Sequence, residues 1–296
     1  MTTPNVSPAV AEPISGDAAP PPNARAALAI AHPGHELTVH GWLEQMRPRV
    51  FVLTDGSRRS SASRLPSTTK VLQAAGATPG CIYGRHPEAA VYRAILDKNT
   101  DFFVSLAEEL AQALAGEPFD YVAGDMAEGF NPVHDLWRLV VTAAVAMVNR
   151  KRERRLLNFD FALFGRQDTH AVSGHAGVRV ELDDASFTRK LTTAQAYPDV
   201  APEVVAAIYG TIGDPVLGDP DIQDKVKALM GKLGLDAFRV EYLRPVPDDV
   251  SEVASVAEPP FFEIYGEKLV AAGRYEQVLR YQEHIVPIAA ALGRLS

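Results

Sequence analysis

A chain of 296 residues that is 47% hydrophobic and 22% charged has an ordinary globular composition, and is long enough for one large α/β unit to bury about three quarters of its surface. Its 29 basic side chains against 37 acidic ones give a formal charge of -8, which argues against nucleic acid or an anionic membrane as partner and leaves a small-molecule substrate as the expectation. Cys81 is the one cysteine, so neither an internal disulfide nor a thiolate metal cluster is available, which fits a reducing, cytoplasmic setting. The longest strongly apolar stretch, Leu139 to Val148, is ten residues interrupted by Thr142, short of the ~20 a spanning helix needs.

The first 24 residues hold six of the chain's 22 prolines and no basic start followed by an apolar run, so they read as a flexible leader and not as a signal peptide. The alternative is an arm that packs on a partner subunit of a homo-oligomer. Residues 25–296 then read as a single domain, with a core over 25–182 and a C-terminal elaboration over 183–296.

Short apolar runs at Ala26–Ala31, Val50–Leu53, Gly80–Tyr83 and Tyr121–Ala123 predict strands. Helical spacing lies between them, over His35 to about Met46, Thr68–Ala75 and Asp101–Ala115. Strands and helices in alternation predict a Rossmann-like, mostly parallel sheet with helices on both faces, whose sites gather in the loops beyond the carboxyl ends of the strands. Those loops are His32–Glu36, Thr54–Arg59 and Gly124–Asp135.

A helix from about His134 to Asn149 is apolar on nearly every side and so belongs inside the core. It ends in a basic cluster, Arg150–Arg155, read as a solvated helix end, with a phosphate or acidic contact as the alternative. Beyond it, Phe159–Phe164, Val178–Leu182 and Phe238–Leu243 read as extended. Pro202–Gly210 and Ile222–Leu233 read as helices, and Tyr265–Leu292 as one or two helices that end the chain. Cys81 is expected on an interior strand as an inert apolar side chain.

Three histidines stand where chemistry would be placed. His32 ends the first strand, His35 opens the following helix, and His134 opens the helix after the fourth strand. Three imidazoles with one open position are the pattern of a catalytic zinc site. On spacing alone two readings stand, a metal site and three unrelated loop or core histidines. His86, His170 and His175 have no converging neighbours, and His40 reads as a packing or surface histidine.

The local motifs add to this. Ala31-His32-Pro33-Gly34-His35-Glu36 resembles the AHPDDE signature of the PIG-L/LmbE-like zinc-dependent N-deacetylases and amidases. Val52-Leu53-Thr54-Asp55-Gly56 resembles that family's second strand and turn, and Asn131-Pro132-Val133-His134 its later HPDH segment. The resemblance covers about residues 25 to 150 and continues loosely through Val180–Asp183, Phe187–Lys190 and Glu241. It implies His32, His35 and His134 as ligands of Zn²⁺, with Fe²⁺ or Mn²⁺ also compatible with imidazole donors.

The departures concern the proton. The family's general base falls at Gly34, which has no side chain, and the opening histidine of HPDH falls at Asn131. Asp125 and Glu128, ahead of His134, are the candidate replacement bases, with Asp125 favoured for its strand-end position. Glu36 is expected as an orienting carboxylate or as the displaced base. Asp55 reads as a turn-holding residue or a site residue. Arg58, Arg59 and Arg64 could grip a substrate carboxylate or phosphate, or belong to a plain polar loop. His284, beside Tyr281 and Glu283, could line a pocket, or this tail could simply pack. The expected activity is metal-dependent hydrolysis of a C–N bond in an N-acyl compound such as an amino sugar. Altered metal chemistry in the same fold, and a noncatalytic binding protein that has lost the base, are the alternatives.

Overall fold

The computed structural model describes residues 23–57, 62–167, 177–198, 234–254 and 259–296. The leader (apart from its last two residues), Arg58, Arg59, His170, His175 and the helices expected over 202–210 and 222–233 lie outside the described residues.

Seven strands form one sheet: β1 (Ala26–Ile30), β2 (Arg49–Thr54), β3 (Thr78–His86), β4 (Tyr121–Asp125), β5 (Leu157–Phe161), β6 (Val178–Glu181) and β7 (Val240–Pro245). Their order is β3-β2-β1-β4-β5-β7-β6. The first five in that order are parallel, and β7 runs antiparallel to both β5 and β6. The fold is thus α/β with a mixed sheet, and a strand from the C-terminal stretch lies inside it.

Helices cover both faces because successive strand residues point opposite ways. Ala27, Ala29, Phe51, Leu53 and Val122 pack against α3 (Glu88–Leu96), α4 (Thr100–Gly116) and α5 (Pro132–Asn149). Leu28, Ile30, Val50, Val52, Tyr121 and Ala123 pack against α1 (His40–Met46), α2 (Leu65–Ala75) and α6 (Asp184–Gln195). The C-terminal helices α8 (Phe261–Ala271) and α9 (Val286–Gly293), together with α7 (Val250–Val253), join the first of these layers. Helix α5 is buried nearly throughout, as its apolar sequence requires.

The helix expected from His35 to Met46 is two pieces, a 3₁₀ turn over His35–Leu37 and then α1. The break has an identifiable cause. Val39, ahead of α1, offers no side-chain cap, and the carboxylate of Glu241 on β7 takes that role, accepting from Gly41 N at 2.9 Å and Trp42 N at 2.7 Å. The Lys190 ammonium of α6 completes the junction, donating to Glu241 at 2.8 Å and to the Thr38 carbonyl at 2.8 Å.

Other differences are local. The strand expected over 159–164 ends at Phe161, because the amides of Leu163 and Phe164 turn to Glu128. Helix α3 has no counterpart in the apolar spacing, and α6 is capped by the preceding Asp183, whose carboxylate accepts from Ser186 N at 2.7 Å. Cys81 is exposed and not interior, since β3 is the edge strand. The basic cluster is tied down by local partners: Arg152 donates to the Phe119 and Glu117 carbonyls, Arg154 pairs with Asp120, and Arg155 pairs with Asp248.

Glu241 and Lys190 are both almost completely buried. Replacing Glu241 with Ala strands a buried ammonium and uncaps α1, so we expect a loss of about 3–5 kcal/mol of stability in urea unfolding. A loss below about 1 kcal/mol would show that the junction does not hold α1.

Candidate functional site

The chain leaves β1 toward β2 on one side and leaves β4 toward β5 on the other, so the loops beyond these neighbouring strands diverge. This is the switch point where open α/β sheets bind ligands. The two strands approach closely there: a side chain at Gly124 would put its Cβ 2.5 Å from the Ala29 carbonyl oxygen.

His32, two residues past β1, His35 in the 3₁₀ turn and His134 in the first turn of α5 meet at this point. Their ring centres are 5.4 Å (His32–His35), 4.9 Å (His32–His134) and 4.6 Å (His35–His134) apart. The three histidines picked out in the sequence are therefore neighbours in space. Among the described residues, no group of three or more His, Cys, Asp or Glu side chains is placed so that it could hold a metal ion. The site consists of three rings in edge contact.

Two of the rings are held from behind. His35 Nδ1 lies 2.9 Å from Asp125 Oδ2, which also accepts from Ala31 N at 2.7 Å. The Nδ1–H tautomer of His35 fits that contact and leaves its lone pair on Nε2. His32 Nδ1 lies 2.7 Å from Thr54 Oγ1, whose hydroxyl donates to the Ala31 carbonyl at 3.1 Å. That direction makes Thr54 the acceptor toward His32 and again leaves Nε2 as the donor atom. Glu88, at the start of α3, brings Oε2 to 4.0 Å from His32 Nδ1, with its side chain 11% exposed.

The expected bases take up positions around this group. Asp125, at the end of β4, is 1% exposed and stands behind His35; its Oδ1 has no hydrogen-bond partner among the described residues. Glu36 is fully buried and accepts from Gly34 N at 2.8 Å, bracing the turn that presents His35, and burial pushes its carboxyl above the ordinary range. Glu128 accepts from Leu163 N and Phe164 N, joining the loops after β4 and β5, and burial pushes its carboxyl up to about 8. Asn131 caps α5, accepting from Val133 N at 2.8 Å, and takes a long hydrogen bond from the Tyr92 hydroxyl at 3.4 Å.

Asp55 holds a turn, with Oδ1 accepting from Ser57 N at 2.9 Å and from Glu88 N at 3.2 Å, so it also fixes the start of α3. Arg64 is buried beside that turn, its backbone N donating to the Asp55 carbonyl at 2.9 Å. His284 is engaged in its own turn, where Arg280 N donates to Nδ1 at 2.9 Å. His40 is buried in α1, and His86 ends β3 with its ring edge-on to Phe102 at 5.1 Å.

Thr54, Glu88 and Asp135 are members of the site that the motifs did not single out. Asp135 Oδ1 accepts from Glu128 N and Gly129 N and closes the loop ahead of His134; burial pushes its carboxyl up to about 7. Thr54 was within the quoted second-strand motif. Glu88 had a weaker signal, following Pro87 at a helix start.

No protein-family model matches the chain, and no curated protein matches it. Two solved structures are similar. One is the A40926 pseudoaglycone deacetylase, at 16% identity over 76% of this chain and 98% of the other, with a TM-score of 0.46. The second is teicoplanin deacetylase in its zinc-inhibited form, at 11% identity over 76% of this chain and 100% of the other, with a TM-score of 0.39.

Gly34 has φ 106°, a backbone conformation that side-chain-bearing residues rarely adopt. The turn thus requires glycine where the family resemblance places a carboxylate. Gly34→Asp is expected to lower stability by about 1–3 kcal/mol through backbone strain, read as a shift in the urea midpoint. An unchanged midpoint would mean that the turn tolerates a side chain. Glu128 gives a second expectation. Its folded pKa lies above the unfolded value, so its contribution is present in acid and lost as the pH rises from about 4.5 through about 8. In chelator-treated protein, Glu128→Gln should flatten the decline in stability over that window, and an unaltered slope would remove Glu128 as its source.

Proposed function

We propose that the protein is a metal-dependent hydrolase of a C–N bond in an N-acyl small molecule, with His32, His35 and His134 as the metal ligands. The single observation that carries this reading is the meeting of three imidazoles at the β1/β4 switch point, two of them fixed through Nδ1 by Thr54 and Asp125. Imidazoles that share one tetrahedral ion at about 2.0–2.1 Å have ring centres about 5 Å apart, a spacing these three rings already have, and the reading requires the rings to reorient their donor atoms toward one point. The all-nitrogen donor set suits Zn²⁺, and Fe²⁺ or Mn²⁺ also accept it. Such an ion supplies a Lewis acid for the acyl oxygen and brings the pKa of bound water toward neutrality.

The chain's own groups then have distinct tasks. Asp125 orients His35 and, through Ala31 N, ties that ring to the end of β1. Thr54 orients His32, and the Glu88 carboxyl group lies beside the same ring. Glu36 sets the turn that aims His35. These contacts favour Asp125 as a positioning residue, with Oδ1 as its remaining proton acceptor.

A second reading is a metalloprotein with other chemistry, or a binding protein. It is favoured by one observation: Gly34 carries no carboxylate, while Glu36, Glu128 and Asn131 hold backbone amides. Turnover of simple N-acyl amines by metal-loaded protein separates the two. Hydrolysis supports the first reading, and full metal occupancy without hydrolysis of any amide in a broad panel supports the second.

Untagged protein should carry close to one equivalent of a divalent transition metal by elemental analysis, and His134→Ala should abolish it. Asp125→Asn should weaken metal affinity by about 10–100-fold in a chelator competition. Stoichiometry well below one after reconstitution, or wild-type affinity in the Asp125 variant, would contradict the ligand set or the orienting role respectively.

A further inference from the structure

Between Leu136 and Val148, helix α5 is apolar except at Arg138 and Thr142. These two continue a line begun by His134, because residues four apart stack on one side of a helix. All three are buried, and Arg138 and Thr142 are 0% exposed.

One side chain on β5 meets both of them. Asn158 Oδ1 accepts from Arg138 Nη2 at 2.7 Å, and Asn158 Nδ2 donates to Thr142 Oγ1 at 3.4 Å. The other prong of the guanidinium, Nη1, donates to the Phe159 carbonyl at 2.9 Å. A planar fork that meets acceptors on two successive strand residues resists both sliding and rolling of α5 on β5. The same Nη1 lies 3.2 Å from the place a Cβ would take on Gly124, the residue before Asp125. Arg138 thus belongs to the helix that carries His134 and lies against the strand end that orients His35.

Filling the core does not call for an arginine here. Burial pushes its guanidinium down to about 10, with the Asp160 and Asp125 carboxylates opposing that fall. An apolar side chain of similar volume in place of a buried ion is often neutral or stabilising, and the best-attested use of such an ion is to fix register.

We infer that Arg138 is a positioning residue: with Asn158 it sets the register at which α5 presents His134 to His35, whose ring centre is 4.6 Å away. It acts through His134 and not on a substrate. The inference rests on the hydrolase reading only for what the rings bind. Their placement is read in metal-free protein.

The test uses ¹⁵N–¹H spectra of the histidine rings in the metal-free full chain, with His134 and His35 assigned from His134→Gln and His35→Gln. Arg138→Met should shift the ring signals of His134 and His35 and leave those of His86 in place. Co²⁺ should bind Arg138→Met about tenfold more weakly than wild type, the lower end of the effect of an outer partner, and Arg138→Lys should recover part of the loss. Asn158→Ala, which leaves α5 unaltered, should act in the same direction and covers the case in which Arg138→Met fails to fold. Because the two residues act as one unit, the double variant should bind Co²⁺ within about twofold of Arg138→Met. A lower urea midpoint with wild-type ring signals for His134 and His35, or with wild-type Co²⁺ affinity, would make Arg138 a stability residue only and overturn the inference. If wild-type protein binds no Co²⁺, the metal-dependent reading fails, and the ring signals alone decide whether Arg138 positions His134.

Discussion

One carboxylate ties together the parts of the candidate site. Asp125 ends β4, and its Oδ2 accepts both the first free amide beyond β1 and the ring nitrogen of His35. The two strands are neighbours whose chains depart in opposite directions, so their ends would otherwise be joined only by the sheet. With Asp125 between them, the position of a candidate metal ligand on the first loop is set by the strand that precedes the loop of the third ligand. The close approach of Gly124 to the Ala29 carbonyl allows this, because a larger residue would push the two strand ends apart.

The same turn is held from its far side by groups distant in sequence. Gly34 reverses the chain at a positive φ, Glu36 accepts the Gly34 amide, and the 3₁₀ turn stops before a regular helix begins. Glu241 and Lys190 then cap α1 and fix Thr38. His35 therefore sits on a segment clamped by β4 at one end and by β7 and α6 at the other. A buried carboxylate–ammonium pair is an expensive clamp unless its remaining hydrogen bonds are met, and here they are met by backbone groups. This explains why the C-terminal stretch is part of the sheet: it supplies the cap that the sequence around Val39 lacks.

Much of this was legible in the chain. Short apolar runs followed by helical spacing gave the parallel strands β1 to β4 and the buried helix α5, since continuous apolar strands and an apolar-all-round helix each have one common solution. The histidines were legible because each stands next to a strand end or a helix start. What local spacing could not show was register between distant segments. Glu241 capping α1 lies 200 residues from Gly41, and no periodicity encodes it. The role of Gly34 was hidden for a different reason, because a missing side chain and a required glycine look the same in a sequence and differ only in φ. Helix α3 went unread because its start is set by Asp55 and Pro87, outside its own apolar pattern. The ring contacts among Phe130, Phe164, Phe261 and Tyr265 join residues that only the fold brings together.

The central claim is that three imidazoles at the β1/β4 switch point share one ion. X-ray absorption at the metal edge of protein reconstituted with one equivalent of Zn²⁺ tests it most directly. The account predicts three imidazole nitrogens at about 2.0–2.1 Å, no sulfur, and the loss of one imidazole in His134→Gln. A spectrum with sulfur or carboxylate oxygen as the main donor, or one unchanged by the His134 substitution, would contradict it.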